Sequence, residues 1–193
     1  PFLFRRELNP NLLTLVGVAL SLVAAGFLAT GSFLSGGLLL LCGGFFDMAD
    51  GIVARHFGRS TPYGAFLDST MDRLVDLVLL FALVMHYGGQ GQEGVVLLVG
   101  VVLVGSVMTS YTKARAEAFV PSLKSGVFER GERILLLGAG ALFGWMVPVL
   151  WILALGTTYT SIQRFVVAHR QLNQEAVVRE FDSRVSNASG ENY

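Results

Sequence analysis

The sequence lacks much of what marks an ordinary soluble domain, a disulfide-built secreted domain or a nucleic-acid binder. Only 15% of its 193 residues are charged, which rules out a soluble domain with a well-solvated surface. Fourteen Lys and Arg are balanced by 14 Asp and Glu, so no basic excess argues for nucleic acid. There is one cysteine, Cys42. It excludes an intrachain disulfide and, lying in an apolar run, reads as a small packing residue. No His–Cys cluster offers a zinc site. No convincing small-residue cleavage site follows the first apolar stretch, so a signal peptide is not expected.

What the chain has is apolar length. Hydrophobic residues make up 53% of it, and several runs approach or reach the roughly 20 residues needed to cross a bilayer. The predicted fold class is an all-α integral membrane protein with six transmembrane helices and a short N-terminal interfacial segment. The helices are expected at Asn11–Leu28, Gly37–His56, Gly64–Tyr87, Val95–Ala118, Glu129–Phe143 and Pro148–Arg170. The boundary between the last two is open, because Leu135–Leu155 is apolar almost throughout; a single span there would move the C-terminus to the other side. Phe57–Tyr63, with Gly, Ser, Thr and Pro in a row, reads as a loop.

Charge fixes an expected orientation. Arg5, Arg6, Arg55, Arg59, Lys113, Arg115, Lys124, Arg130 and Arg133 fall in alternate connections, whereas Thr30–Gly36, His86–Gly94 and Gly144–Pro148 contain no Lys or Arg. The positive-inside rule then puts both termini on the cytoplasmic face of the inner (plasma) membrane. Trp145 and Trp151 suit the opposite interface. The opening PFLFRRELNPNLLT has no initiator Met and reads as part of a longer protein, with its two arginines beside Phe2, Leu3 and Phe4 lying along the membrane surface. Residues 1–172 form the expected membrane domain. The polar tail 173–193 is expected to be cytoplasmic and weakly ordered, its closing SNASGENY a cloning remnant.

Four carboxylates interrupt the apolar pattern. Asp47 and Asp50 are three apart and Asp68 and Asp72 four apart, so each pair shares a helix face. Both pairs abut strongly apolar sequence, where a carboxylate is costly unless a metal, a cation or a water-filled cavity compensates. Two such helices facing one another make a divalent-metal site, and oxygen-only ligands suit Mg²⁺ or Mn²⁺. The alternative is an intramembrane ion-pair network, with Arg55 and Arg73 nearby and Asp76 extending the face by a turn. Gly43, Gly44 and Gly51 cluster beside the first pair. A glycine in a helix interior costs roughly 1 kcal/mol relative to alanine, so the cluster suggests close approach of either a neighbouring helix or a nucleotide.

The full pattern, Asp47-x2-Asp50-Gly51-x2-Ala54-Arg55-x8-Gly64-x3-Asp68-x3-Asp72, resembles the signature of the CDP-alcohol phosphotransferases. The resemblance implies an enzyme that displaces CMP from a CDP-linked lipid by an alcohol. It also implies two divalent ions held by Asp47, Asp50, Asp68 and Asp72, with Asp72 as general base. Gly51, Arg55, Gly64 and Thr14 would lie on the nucleotide side, and a homodimer is implied, to which Gly17 or Gly26 could contribute.

A second group bears on the acceptor. SYTKARAEA (110–118) and GVFERGERIL (126–135) bring basic residues to the same membrane face, which reads either as positive-inside topology with snorkelling or as a phosphate site. These segments are similar to those of the phosphatidylinositol-phosphate synthase branch. That likeness implies that Lys113, Arg115, Lys124, Arg133 and Arg164 hold the phosphate of L-myo-inositol 1-phosphate, the donor being CDP-diacylglycerol. Rival acceptors are free inositol, glycerol 3-phosphate and serine, and a rival donor is an archaeal-type CDP-lipid. A divalent metal-ion transporter is the rival of another class.

Overall fold

Six helices follow one another with short connections in the computed structural model, which describes the backbone of residues 10–56, 61–120, 122–123 and 126–190 and the side chains of 11–52, 61–120, 122–123 and 126–174. They are α1 (Pro10–Ala29), α2 (Phe33–His56), α3 (Pro62–Gly89), α4 (Glu93–Ala116), α5 (Arg130–Phe143) and α6 (Met146–Gly190). The expected N-terminal interfacial segment lies outside the described residues.

Turn chemistry sets the boundaries. Gly31 has a φ of 83°, which glycine adopts without a Cβ penalty, so the α1–α2 connection closes in three residues and α2 begins before Gly37. Thr61 accepts a hydrogen bond from the Gly64 amide at 3.0 Å and Pro62 takes the first helical position; α3 therefore starts two residues before Gly64. Gly144, left-handed at φ 69°, ends α5 and separates it from α6, which resolves the open boundary in favour of two helices. Beyond Arg170 the chain stays helical to Gly190; Gln171–Arg184 contains no Gly or Pro to break it.

Helices α1, α2, α5, α6, α4 and α3 pack in that spatial order and close back onto α1. Leu28, Leu40, Leu79, Leu83, Val99 and Leu150 fill the interior. Small residues let the backbones meet. A Cβ on Gly17 of α1 would stand 2.9 Å from the Gly43 carbonyl of α2, and one on Gly43 would stand 2.8 Å from the Gly17 carbonyl. Gly43 and Gly17 are therefore helix-packing glycines, which answers one of the two readings of that cluster. Gly26 has open space around its Cα.

The outside of the bundle is apolar too. Leu97, Leu135, Phe81, Leu155 and Phe165 are all at least 60% exposed, an outer face that water would not tolerate and lipid would. Among the described residues four segments are long and apolar enough to cross a membrane: Asn11–Ala29, Phe33–Ile52, Glu93–Ala116 and Met146–Gln174. This is a multi-pass membrane protein. Six spans were expected, and two helices fall short of that measure. Helix α3 carries Asp68, Asp72, Arg73 and Asp76, and α5 has 14 residues, about 21 Å at 1.5 Å per residue against a core of about 30 Å.

Candidate active site

The charged ends of α2, α3 and α5 meet at one end of the bundle. Asp47 and Asp50 come from the same face of α2, and Asp68 from the first turns of α3. Carboxylate oxygens of Asp47, Asp50 and Asp68 all lie within 4.8 Å of one another. Asp50 is buried, and Thr14 of α1, also buried, donates its hydroxyl to Asp50 Oδ2 at 2.5 Å. Thr14 thus orients a carboxylate of the cluster.

Asp72 lies one helical turn beyond Asp68 and outside that trio. Its Oδ1 is 2.8 Å from Arg130 Nη1, close in distance but out of hydrogen-bond alignment, and its Oδ2 is 3.8 Å from Arg73 Nη1. Arg130 Nη1 also donates to Asp47 Oδ2, and Arg130 Nε lies 3.9 Å from Asp76 Oδ1. From sequence, Arg130 belongs only to the general basic cluster; here it is the cation that ties the α2 and α3 carboxylates together. Its spacing from Arg133 was the available signal, since three residues apart on α5 the two arginines share a face.

The acid trio fits a hard divalent ion. Its donors are all carboxylate oxygens, two of them on α2 and one on α3, and three negative charges at this separation repel one another unless a cation lies among them. The hydrogen bonds described for the trio come from the Thr14 hydroxyl, the Gly51 amide and the Arg130 guanidinium, so one hydrogen-bonded cation serves three carboxylates.

Next to it stand two buried arginines. Arg133 Nη2 pairs with Asp76 Oδ2 at 2.5 Å, and its Nη1 donates to the Phe128 carbonyl at 3.3 Å. Arg164 of α6 donates to the Thr109 carbonyl at 2.8 Å and contacts Glu129 Oε1 at 3.4 Å. Consecutive residues 128 and 129 therefore hold the two guanidinium groups side by side. The α4–α6 seam that carries Arg164 is closed by a polar ladder: Thr109 to the Thr157 carbonyl at 3.2 Å, and Ser161 to the Gly105 carbonyl at 3.1 Å. Gly126, at φ 127°, lies flat under Arg164; a Cβ there would be 2.6 Å from Nη2.

The remaining site residues are spread more widely. Lys113 is half-buried and lines a polar cavity of about 580 Å³ with Glu117, Glu129 and Gln163. Arg115 is exposed and stacks on the Phe119 ring at 4.9 Å, apart from the other arginines. Gly51 is half-buried directly after Asp50. Gly64 faces Thr61 and Asn11, whose oxygens would be 3.1 and 3.4 Å from an added Cβ. The Arg55 side chain and Lys124 lie outside the described residues. On the far side of the acid cluster a groove of about 820 Å³ runs between α2 and α5, lined by Leu41, Phe45 and Leu135 and ending at Asp47 and Arg130.

Comparison with known proteins accounts for this assembly. Residues 7–163 match the family model described as CDP-alcohol phosphatidyltransferase. The chain belongs to that family. It is an enzyme, so the ion-transport alternative falls away. A phosphatidylinositol phosphate synthase of Streptomyces avermitilis is 35% identical over 98% of this chain and 83% of its own. An archaetidylinositol phosphate synthase of Pyrococcus horikoshii is 36% identical over 86% of each. The phosphatidylinositol phosphate synthase of Mycobacterium tuberculosis, 30% identical, superposes with a TM-score of 0.76 in its CDP-DAG-bound form, over 86% of this chain and 89% of that one. Its complex with manganese and citrate superposes with a TM-score of 0.77, over 86% and 85%. The likeness to the phosphatidylinositol-phosphate synthase branch therefore extends over most of the sequence and the fold.

Proposed function

We propose that the enzyme transfers the phosphatidyl group of CDP-diacylglycerol to L-myo-inositol 1-phosphate and releases CMP. The observation that carries this reading is a juxtaposition: three carboxylates within 4.8 Å of one another beside two buried arginines, Arg133 and Arg164. The names of the Streptomyces and Mycobacterium relatives support the acceptor, and the CDP-DAG and manganese complexes of the latter support the donor and a metal.

Asp47, Asp50 and Asp68 would hold two Mg²⁺ or Mn²⁺ ions, with Asp72 at their border. The metal supplies charge neutralisation for the diphosphate and for the departing CMP. The apolar α2–α5 groove, open to the bilayer and ending at Asp47, accommodates the donor's lipid part and leaves its diphosphate at the carboxylates. Thr14, Gly51, Arg55 and Gly64 flank the nucleotide. Asp72 takes the proton of the acceptor hydroxyl, whose oxygen forms a bond to the β-phosphorus. The bond from that phosphorus to the bridging oxygen breaks, and its electrons leave with CMP. A carboxylate is a weak base for an alcohol, so its placement between Arg130 and Arg73 matters more than its intrinsic basicity.

Arg133 and Arg164, assisted by Lys113, Lys124 and Arg115, receive the acceptor's phosphate. Glu129, whose side chain is 57% exposed, yields Arg164 readily, because an exposed carboxylate regains its hydration on release. In this reading α3 and α5 cross the membrane with the other four helices, aligned by the ring they complete. Both termini and the active site face the cytoplasm across the inner (plasma) membrane, 1–172 is the membrane domain with 173–193 its tail, and the enzyme is a homodimer.

A second donor is favoured by the similarity to the archaetidylinositol phosphate synthase. The deciding experiment measures CMP release by the purified protein, with Mg²⁺ or Mn²⁺, from CDP-diacylglycerol or an archaeal-type CDP-lipid. Inositol 1-phosphate, inositol, glycerol 3-phosphate and serine are offered in turn. Release with inositol 1-phosphate alone is expected. Release with inositol and not its phosphate would overturn the phosphate roles of Arg133 and Arg164.

A further inference from the structure

One cation in the site joins the carboxylates of α2 to those of α3. Arg130 is the first residue of α5. A single nitrogen, Nη1, donates to Asp47 Oδ2 and stands 2.8 Å from Asp72 Oδ1. The guanidinium and both carboxylates are largely buried, with side-chain exposures of 16%, 24% and 16%. It therefore bridges a carboxylate of the metal-fitting trio to the carboxylate read as general base. The Nε side of the same group faces Asp76 at 3.9 Å.

The bridge and a metal at the trio compete. A divalent cation and a guanidinium at the same carboxylate repel through a poorly screened medium, and both draw on its one negative charge. A metal ligated by Asp47 at the short distances typical of Mn²⁺ or Mg²⁺ thus weakens or breaks the Arg130–Asp47 bond. Arg130 has somewhere to go. It lines the 820 Å³ groove that also reaches Asp47, and Asp72 and Asp76 on α3 remain within its range. Glu129, which precedes it, makes no side-chain cap to the helix, and the bonds that anchor this terminus run to Phe128 and Glu129 rather than to the Arg130 side chain.

We propose that Arg130 is a built-in counter-ion for the metal-free site: it holds Asp47 and Asp72 together until metal displaces it from Asp47, and then stays with Asp72 to position the base. The inference rests on the metal reading of Asp47, Asp50 and Asp68. It makes Arg130 a positioning residue whose removal tightens metal binding while loosening the metal-free protein, the opposite of what loss of a merely structural residue does.

The test titrates Mn²⁺ into metal-stripped, detergent-purified protein and counts free Mn²⁺ by electron paramagnetic resonance, with thermal unfolding followed in parallel. Arg130→Gln is expected to bind Mn²⁺ several-fold more tightly than the parent. Its metal-free form should melt lower and gain more from saturating Mn²⁺. Arg130→Lys keeps the charge on a shorter side chain with no planar fork, so it should fall between, and it serves if Arg130→Gln fails to fold. Arg133→Gln removes a nearby charge that pairs with Asp76 and not with the trio, and should leave Mn²⁺ affinity within about a factor of two. Unchanged or weaker Mn²⁺ binding in both Arg130 variants overturns the proposal, as does an equal gain in Arg133→Gln. Failure of the parent to bind Mn²⁺, or undiminished binding in Asp50→Asn, overturns the metal reading itself.

Discussion

The acidic and the basic halves of the site solve opposite electrostatic problems. In the acidic half, three carboxylates converge within 4.8 Å, and hydrogen bonds reach them from Thr14, the Gly51 amide and Arg130. In the basic half each buried guanidinium already has a carboxylate: Asp76 for Arg133 and Glu129 for Arg164. When ionised, the first half carries more negative charge than its one hydrogen-bonded cation offsets, a deficit that a divalent ion would fill. The second is balanced by the protein itself, so an incoming phosphate must displace a carboxylate rather than fill a deficit. Cation binding should thus be strong and tolerant of substrate, while acceptor binding should be selective, because only a group at least as good an acceptor as a carboxylate can compete.

Breaking the acidic half should have the largest effect. Asp72→Asn should lower CMP release on the order of 10²–10⁴-fold while Mn²⁺ binding persists, since Asp72 lies outside the trio; parallel loss of both would place it among the ligands. Asp76→Leu leaves Arg133 as a buried charge without its acid, and should lower stability by about 3 kcal/mol, read from thermal unfolding in detergent. Thr14→Val removes the hydroxyl that orients Asp50, and metal affinity should fall roughly 10-fold or more with little change in melting temperature. The comparison is sharpened by Arg115. Being exposed and stacked on Phe119, it should tolerate Ala with an acceptor KM change of about threefold or less, whereas Arg164→Ala should raise that KM far more. An equal effect at both positions would show that the basic half works as a diffuse field and not as a pocket.

Much of the acidic half was legible because its signal is local. Asp47 and Asp50, like Asp68 and Asp72, are brought to one face by helical periodicity alone, and the apolar flanks make their charge conspicuous. The basic half was less legible for a physical reason: Lys and Arg at the cytoplasmic ends of membrane helices serve topology as well as binding, so sequence cannot say which of them turn inward. Arg133 and Arg164 do, through Phe128, Thr109 and Glu129, whereas Arg115 stays outside. Arg130 was read as one charge among several, because its partners are 83 and 58 positions away in sequence at Asp47 and Asp72. Gly43 showed the limit in another way: a glycine that admits a ligand and one that admits a helix look alike until Gly17 is placed against it.

The sequence by itself determined the membrane class, the helix order and which aspartates share a helix face, because apolar run length, 3.6-residue periodicity and motif spacing are properties of neighbours along the chain. The tertiary structure alone decided which helices adjoin. It also decided that Thr14 serves Asp50, that Asp72 stands apart from the trio, and that Arg130 joins the two pairs of carboxylates. Those are contacts between distant segments, set by how six helices close into a ring and not by anything a short stretch of sequence contains.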